Sequence, residues 1–265
     1  MPFLLLFLLF FLSLPVYAGE NDSIWGLKNT PQELSSDKTL EFWAYQNQYS
    51  NESHTDIMKL RYYNPLNLGS WQGRLRLDTS MVATNTNSGA NNIGQFSAGN
   101  TMLTVWGQDK DFLPNFNATI GARLVFPFGN NGQWAVGPQI RWLFKPQEGS
   151  NSLITDFSPS LRYMYGFNTK NNSFQINPNQ PILQRNLQIY PTLGIEITAT
   201  TQLRLWDENG ILFNSAGGGW FIPIDAMIVH KLTKKFSFAI GASKQVIDTY
   251  QQYNWSLYGK ASYTF

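Results

Sequence analysis

The 265-residue chain has no cysteine and only two histidines, and charged residues make up 14% of it. Without cysteine there is no disulfide framework and no thiolate metal site, a composition suited to a compartment where stray thiols are oxidised. His54 and His230 alone are thin material for a nucleophile–base pair or a metal centre. The charged fraction is low beside the roughly 25% of soluble domains. A formal net charge of +2 gives no case for nucleic acid. Beyond the N-terminus no run is apolar enough for a membrane helix, and no break in composition separates two domains.

Phe3 to Leu12 is an unbroken apolar core, followed by Pro15 and by Val16-Tyr17-Ala18, an A-x-A-like cleavage site before Gly19. It is shorter than the roughly 20 residues that span a bilayer, so residues 1–18 read as a secretory signal peptide. No Lys or Arg precedes the core, which keeps an uncleaved anchor as the alternative. Residues 19–38 are polar and read as a periplasmic lead-in or a plug. Residues 39–265 read as one β-barrel.

The evidence for the barrel is a period of two. From Gln133 to Lys145, Trp134, Val136, Pro138, Ile140, Trp142 and Phe144 share one face, opposite Gln133, Gln139, Arg141 and Lys145. Trp71 to Val82, Phe116 to Phe126, Phe157 to Phe167 and Leu187 to Ile197 alternate in the same way. Such runs of about eleven to thirteen residues suit tilted strands crossing a bilayer, whereas soluble strands average five or six. Less regular segments lie at Leu40 to Tyr49, Asp56 to Asn64, Gly99 to Gln108, Thr200 to Trp206, Gly219 to His230 and Phe236 to Val246. With Trp255 to Phe265 these predict an all-β, up-and-down antiparallel barrel of twelve strands, both termini on the periplasmic side. The join between Ile197 and Gln202 lacks turn residues, so ten strands with one bent strand stays open. Ala83 to Ser97, Asn168 to Gln184 and Asp207 to Gly218 read as extracellular loops, and Asn67 to Ser70, Asp109 to Pro114, Pro146 to Asn151 and Lys231 to Lys235 as periplasmic turns.

In the last segment Trp255, Leu257, Tyr263 and Phe265 lie on the apolar face. A final strand ending on an aromatic, with a second two places earlier, resembles the signal read by the outer-membrane insertion machinery. The expected partners are therefore that machinery, outer-membrane lipid and a small-molecule solute.

Catalytic constellations are weak. Ser53, His54 and Asp56 are the only local nucleophile-like cluster, and near neighbours on a loop read first as a solvated hairpin tip; His230, at a strand end, reads as interfacial. Asp207-Glu208 precede Asn209-Gly210, which is turn chemistry. Ala216-Gly217-Gly218-Gly219 lacks the following Lys-Ser/Thr of a phosphate cradle. Neither a catalytic residue nor a metal or other cofactor is expected.

The polar faces say more. With the apolar register toward lipid, the lumen receives Lys59, Arg61, Arg74, Arg76, Arg123, Arg141, Arg162, Arg204 and Lys260, nine cations, against four acids, Glu41, Asp78, Glu196 and Asp225. The surplus predicts a pathway favouring anionic or electron-rich solutes; its alternative is an arginine ladder that only fills the interior. On this reading, replacing Arg74 and Arg76 by Ser weakens anion preference.

Asn64-Pro65-Leu66-Asn67-Leu68-Gly69-Ser70-Trp71, Val136-Gly137-Pro138, and Gly217 to Ile224 leading through His230-Lys231 and Lys234-Lys235 to the last hairpin are similar to the Gram-negative outer-membrane family labelled as transporters or as the MetA pathway of phenol degradation. The chain departs from it at Asp225, where family members often carry Gly. The resemblance implies a barrel passing small, aromatic compounds. The function expected is a narrow passive channel, with a structural or adhesive barrel and an outer-membrane hydrolase as alternatives.

Overall fold

The computed structural model describes residues 37–49, 53–85, 95–99, 101–112, 117–126, 134–144, 153–167, 174–177, 180–182, 185–214, 218–248 and 253–265. The signal-peptide reading (1–18) and all of the lead-in or plug except Asp37 and Lys38 lie outside these residues.

The period-two segments form a closed antiparallel barrel of twelve strands. These are β1 (Thr39–Gln48), β2 (His54–Leu68), β3 (Trp71–Asn85), β4 (Gln95–Ala98 and Thr101–Asp109), β5 (Ala118–Phe126), β6 (Trp134–Trp142), β7 (Ile154–Phe157 and Ser160–Phe167), β8 (Arg185–Tyr190 and Leu193–Thr198), β9 (Thr201–Leu205 and Ile211–Asn214), β10 (Trp220–Lys231), β11 (Phe236–Asp248) and β12 (Trp255–Thr264). Each strand pairs with its sequence neighbour, and β1 closes the cylinder on β12 from Thr39↔Thr264 to Gln48↔Trp255. Closure removes the free edges that an open sheet would leave at β1 and β12. β8 and β9 are separate strands, joined by a tight turn at Ala199-Thr200.

Leu60 is 45% exposed, Ile224 59% and Ile228 52%, and with Phe42, Leu77, Ile120, Ile240 and Val246 they form an apolar outer surface. Burying such a belt in lipid is favourable, whereas in water it would be a large aggregation-prone patch. Aromatic pairs sit at both rims: Phe126–Trp134 (5.1 Å) and Phe213–Trp220 (4.6 Å) at one end, Phe144–Phe157 and Tyr263–Phe265 (both 5.1 Å) at the other. These are the interfacial girdles of a bilayer-spanning barrel. Trp255, Leu257, Tyr263 and Phe265 all take the outward register of β12, Tyr263 and Phe265 being exposed.

Three loop expectations change. β3 runs on to Asn85 and β4 starts at Gln95, so the connection predicted from Ala83 to Ser97 is shorter. Within the predicted loop from Asn168 to Gln184, Phe174–Asn177 and Gln180–Ile182 form a small hairpin. The third change governs the lumen: only Gly218 and the undescribed 215–217 remain of the loop predicted from Asp207 to Gly218. Ile211–Asn214 rejoin the wall between β8 and β10, while residues 206–210 leave it and turn inward. Asp-Glu-Asn-Gly is turn chemistry, but the turn interrupts a strand instead of ending one.

Candidate functional site

The inward excursion begins at Trp206, whose φ of 49° puts a non-glycine residue in the left-handed region. That conformation is disfavoured for a bulky side chain, and three bonds to β8 and β10 hold it. Trp206 N donates to Asp225 O (3.1 Å), its Nε1 donates to Pro223 O (2.9 Å), and its carbonyl accepts from Thr192 Oγ1 (3.2 Å). The β9–β10 ladder is interrupted between Leu205↔Ala226 and Leu212↔Phe221. Proline, which has no N–H for a ladder, fits this gap, and its carbonyl serves the indole instead. Asp225, fully buried, accepts from Asn209 Nδ2 (2.9 Å) and from Tyr258 O–H (2.8 Å).

Beyond Asp225 the excursion crosses the lumen. Glu208 accepts from Tyr45 O–H (2.5 Å), Lys59 Nζ (3.0 Å) and Arg61 Nη2 (3.3 Å) on β1 and β2. Arg61 also reaches Asp78 (2.7 Å) and Glu41 (3.4 Å), Arg76 chelates Asp78 (2.6 and 2.9 Å), and Lys260 approaches Glu41 (3.4 Å). This network packs on a stack of Trp43, Tyr45 and Tyr258, with Arg61 4.7 Å and Lys260 4.9 Å from the Trp43 ring. One side of the barrel is thereby filled with paired charge and aromatic surface.

Among the described residues the lumen holds one chamber of about 150 Å³ toward the terminal end and another of about 260 Å³ toward the other. They meet at a waist whose lining both share: Arg61, Arg76, Arg123, Arg141, Ser160, Arg162, Asp207 and Glu208. Arg74, Arg204, Lys260 and Glu41 line only the smaller chamber, and Lys59 only the larger. Asp78 and Asp225 are sealed beneath their partners and line neither chamber. Glu196, opposite Gln202 in the β8–β9 register, also lines neither.

The sequence reading missed three lumenal acids. Asp156 and Asp207 hold Arg204 at 2.6 and 3.2 Å, and Glu208 makes the contacts above. Asp156 was readable, since extending the alternation of β7 upstream from Ser160 and Ser158 puts it on the polar face. For Asp207 and Glu208 no local signal existed. They change the balance: every acid lining the chambers touches a cation.

The opposite side of the waist differs. Arg123 Nε donates to Thr104 Oγ1 (3.0 Å); Arg162 donates to Gln139 Oε1 and Gln188 Oε1 (both 2.9 Å) and lies 5.5 Å from the Tyr190 ring. Among the described residues neither forms an ion pair with a carboxylate. Arg141 donates to Ser158 O (3.2 Å) and Oγ (2.8 Å).

The histidines stand apart from all of this. His54 Nε2 is 3.9 Å from Asp56 at the rim opposite the termini, and His230 Nδ1 is 2.9 Å from Thr201 Oγ1 beside the Phe238 ring near the other rim.

A closed sheet with an apolar outside, aromatic rims and a charged inside is the architecture of an outer-membrane β-barrel. The solved structures agree. The chain is similar to an outer membrane channel from Pseudomonas putida F1 (TM-score 0.59, 12% identity, covering 89% of this chain and 99% of that one) and to the NanC porin (TM-score 0.51, 10% identity, covering 85% and 99%). No protein-family profile and no curated protein matches the sequence. At these identities the likeness establishes the fold.

Proposed function

We propose that the barrel is a passive outer-membrane channel that favours small anions. The observation that carries this reading is the pair Arg123 and Arg162. Both line the waist shared by the two chambers, and their side-chain partners are neutral oxygens, whereas the acids around the chambers are already engaged by cations. A positive wall in a narrow, low-dielectric passage raises the local concentration of anions and repels cations. Guanidinium groups held by neutral acceptors keep donors available for a passing oxyanion. The chamber volumes, below the roughly 300–1,000 Å³ of drug-sized ligand pockets, restrict the traffic to small solutes.

The test is the reversal potential of the refolded mature chain in a planar bilayer under a KCl gradient, at ionic strength low enough to limit screening. The expected result is an anion-biased potential that shifts toward zero in Arg123→Gln/Arg162→Gln. A cation-biased wild type, or a variant with unchanged selectivity, rules the reading out.

A further inference from the structure

The cationic row at the waist has an apolar row directly above it, on the same wall. In the β4–β5–β6 register, Thr104↔Arg123↔Gly137 form one inward row and Met102↔Val125↔Ala135 the next. Two residues along a strand advance about 7 Å. Val125, Ala135 and Met164 form a buried apolar cluster, with Met102 packed against it, and all four line the larger chamber. Met164 follows Arg162 by two residues on β7, and its thioether occupies the space above Gly137, where a Cβ would meet Sδ. Across this chamber stand Ile57 and Phe221, also apolar. A lumen serving only hydrated inorganic ions has no need of an apolar step beside its positive charge.

We infer that this wall is a binding site for amphiphilic monoanions, the oxyanion held at Arg123 and Arg162 and a compact apolar body lying on Met102, Val125, Ala135 and Met164. The inference rests on the anion-channel reading and specifies its substrate class. The row spacing fits a carboxylate whose apolar part ends about 7 Å from the charge, the size of a phenyl ring or a short alkyl chain. Removing that body from water supplies the preference. The Met side chains suit it because an unbranched thioether adapts to both ring and chain.

The test is the half-blocking concentration of potassium formate, hexanoate and benzoate on the chloride current of single refolded channels, read beside the KCl reversal potential. Hexanoate and benzoate are expected to block at concentrations roughly tenfold below formate, and Val125→Thr/Met164→Gln, refolded and verified by heat-dependent gel mobility, to collapse that ratio. Val125→Thr alone, which is nearly isosteric, is expected to narrow it and serves if the double variant does not fold. An anion-selective channel that ranks the three salts equally overturns the amphiphile site and leaves the anion channel standing. A ratio that survives the substitutions overturns the assignment to this wall. A channel without anion preference, or folded protein without conductance, overturns both readings.

Discussion

Glu208 Oε1, on the inward segment between the two halves of β9, lies 3.0 Å from Lys59 Nζ on β2, across the lumen from the point where that segment leaves the wall. The same oxygen accepts from the Tyr45 hydroxyl at 2.5 Å. This contact fastens the inward segment to the far side of the barrel and offsets much of the charge there.

Glu208→Gln is expected to leave the segment in place but Lys59 without its acid partner. The larger chamber should become more positive, so anion preference rises. Stability falls by about 2 kcal/mol, the usual loss for a buried hydrogen bond to a charged group. Reversal potentials and urea titration of the folded band check both effects. A drop in anion preference contradicts the charge assignment.

Asp225 separates shape from bonding. Asp225→Asn keeps an acceptor for Tyr258 or Asn209, whereas Asp225→Ala removes the main acceptor of the buried Tyr258 hydroxyl and of the half-buried Asn209 amide, at about 1–3 kcal/mol. The Ala variant should therefore unfold at lower urea than the Asn variant, with larger and noisier single-channel currents as the inward segment loosens. Equal midpoints would show that Asp225 does not anchor it.

Gly241→Ala tests the aromatic packing of the lumen. A Cβ at Gly241 would stand 2.4 Å from the Tyr258 ring, which is wedged between β11 and the Trp43–Tyr45 stack. The ring must move and its bond to Asp225 lengthens, so a loss of about 1–3 kcal/mol is expected. Gly69→Ala is the contrasting case: its φ of 62° is strained for any side chain but nothing lies within 4 Å of the added Cβ, so lumen conductance should be unaffected. Thermal unfolding in detergent and single-channel recording distinguish the two.

Tyr263→Ser/Phe265→Ser removes two outward aromatics from β12 without touching the lumen. In cells the yield in the outer-membrane fraction is expected to fall severalfold, while protein refolded in detergent still closes β1 on β12 and conducts normally. Undiminished membrane yield would remove these residues from the insertion signal.

Strand number and facing were legible because a wall with lipid outside and charge inside imposes the period of two on every strand. The alternation of Trp134 to Phe144, for instance, survives intact as β6 and its bridge to Phe157. The arginines were legible as inward residues for the same reason. Their pairing was not, because it depends on the cross-strand register and on segments remote in sequence. Arg74 and Arg76 were the pair the pattern singled out for selectivity; in the fold Arg76 is chelated by Asp78, and Arg74 lines only the smaller chamber and donates to Asp37 O at 2.6 Å. Arg123 and Arg162, equal to them in the pattern, combine neutral partners with a place at the waist that both chambers share. The inward segment was least legible: four residues, Ile211–Asn214, decide that Asp207-Glu208-Asn209-Gly210 is an interruption of β9 and not a loop tip. Pro223 and Asp225 were its only trace in the sequence, as a proline and an acid inside the β10 pattern.

Because the excursion of residues 206–210 is spliced into the wall at both ends, by Thr201–Leu205 on one side and Ile211–Asn214 on the other, it cannot swing aside as a tethered loop does. With its side-chain anchors intact, a large displacement would have to strain the strands on both flanks. On the channel reading, the aperture beside it would keep a near-constant gauge, and the barrel would work as a sieve with a fixed mesh, its flux following solute concentration and charge instead of the opening and closing of a door.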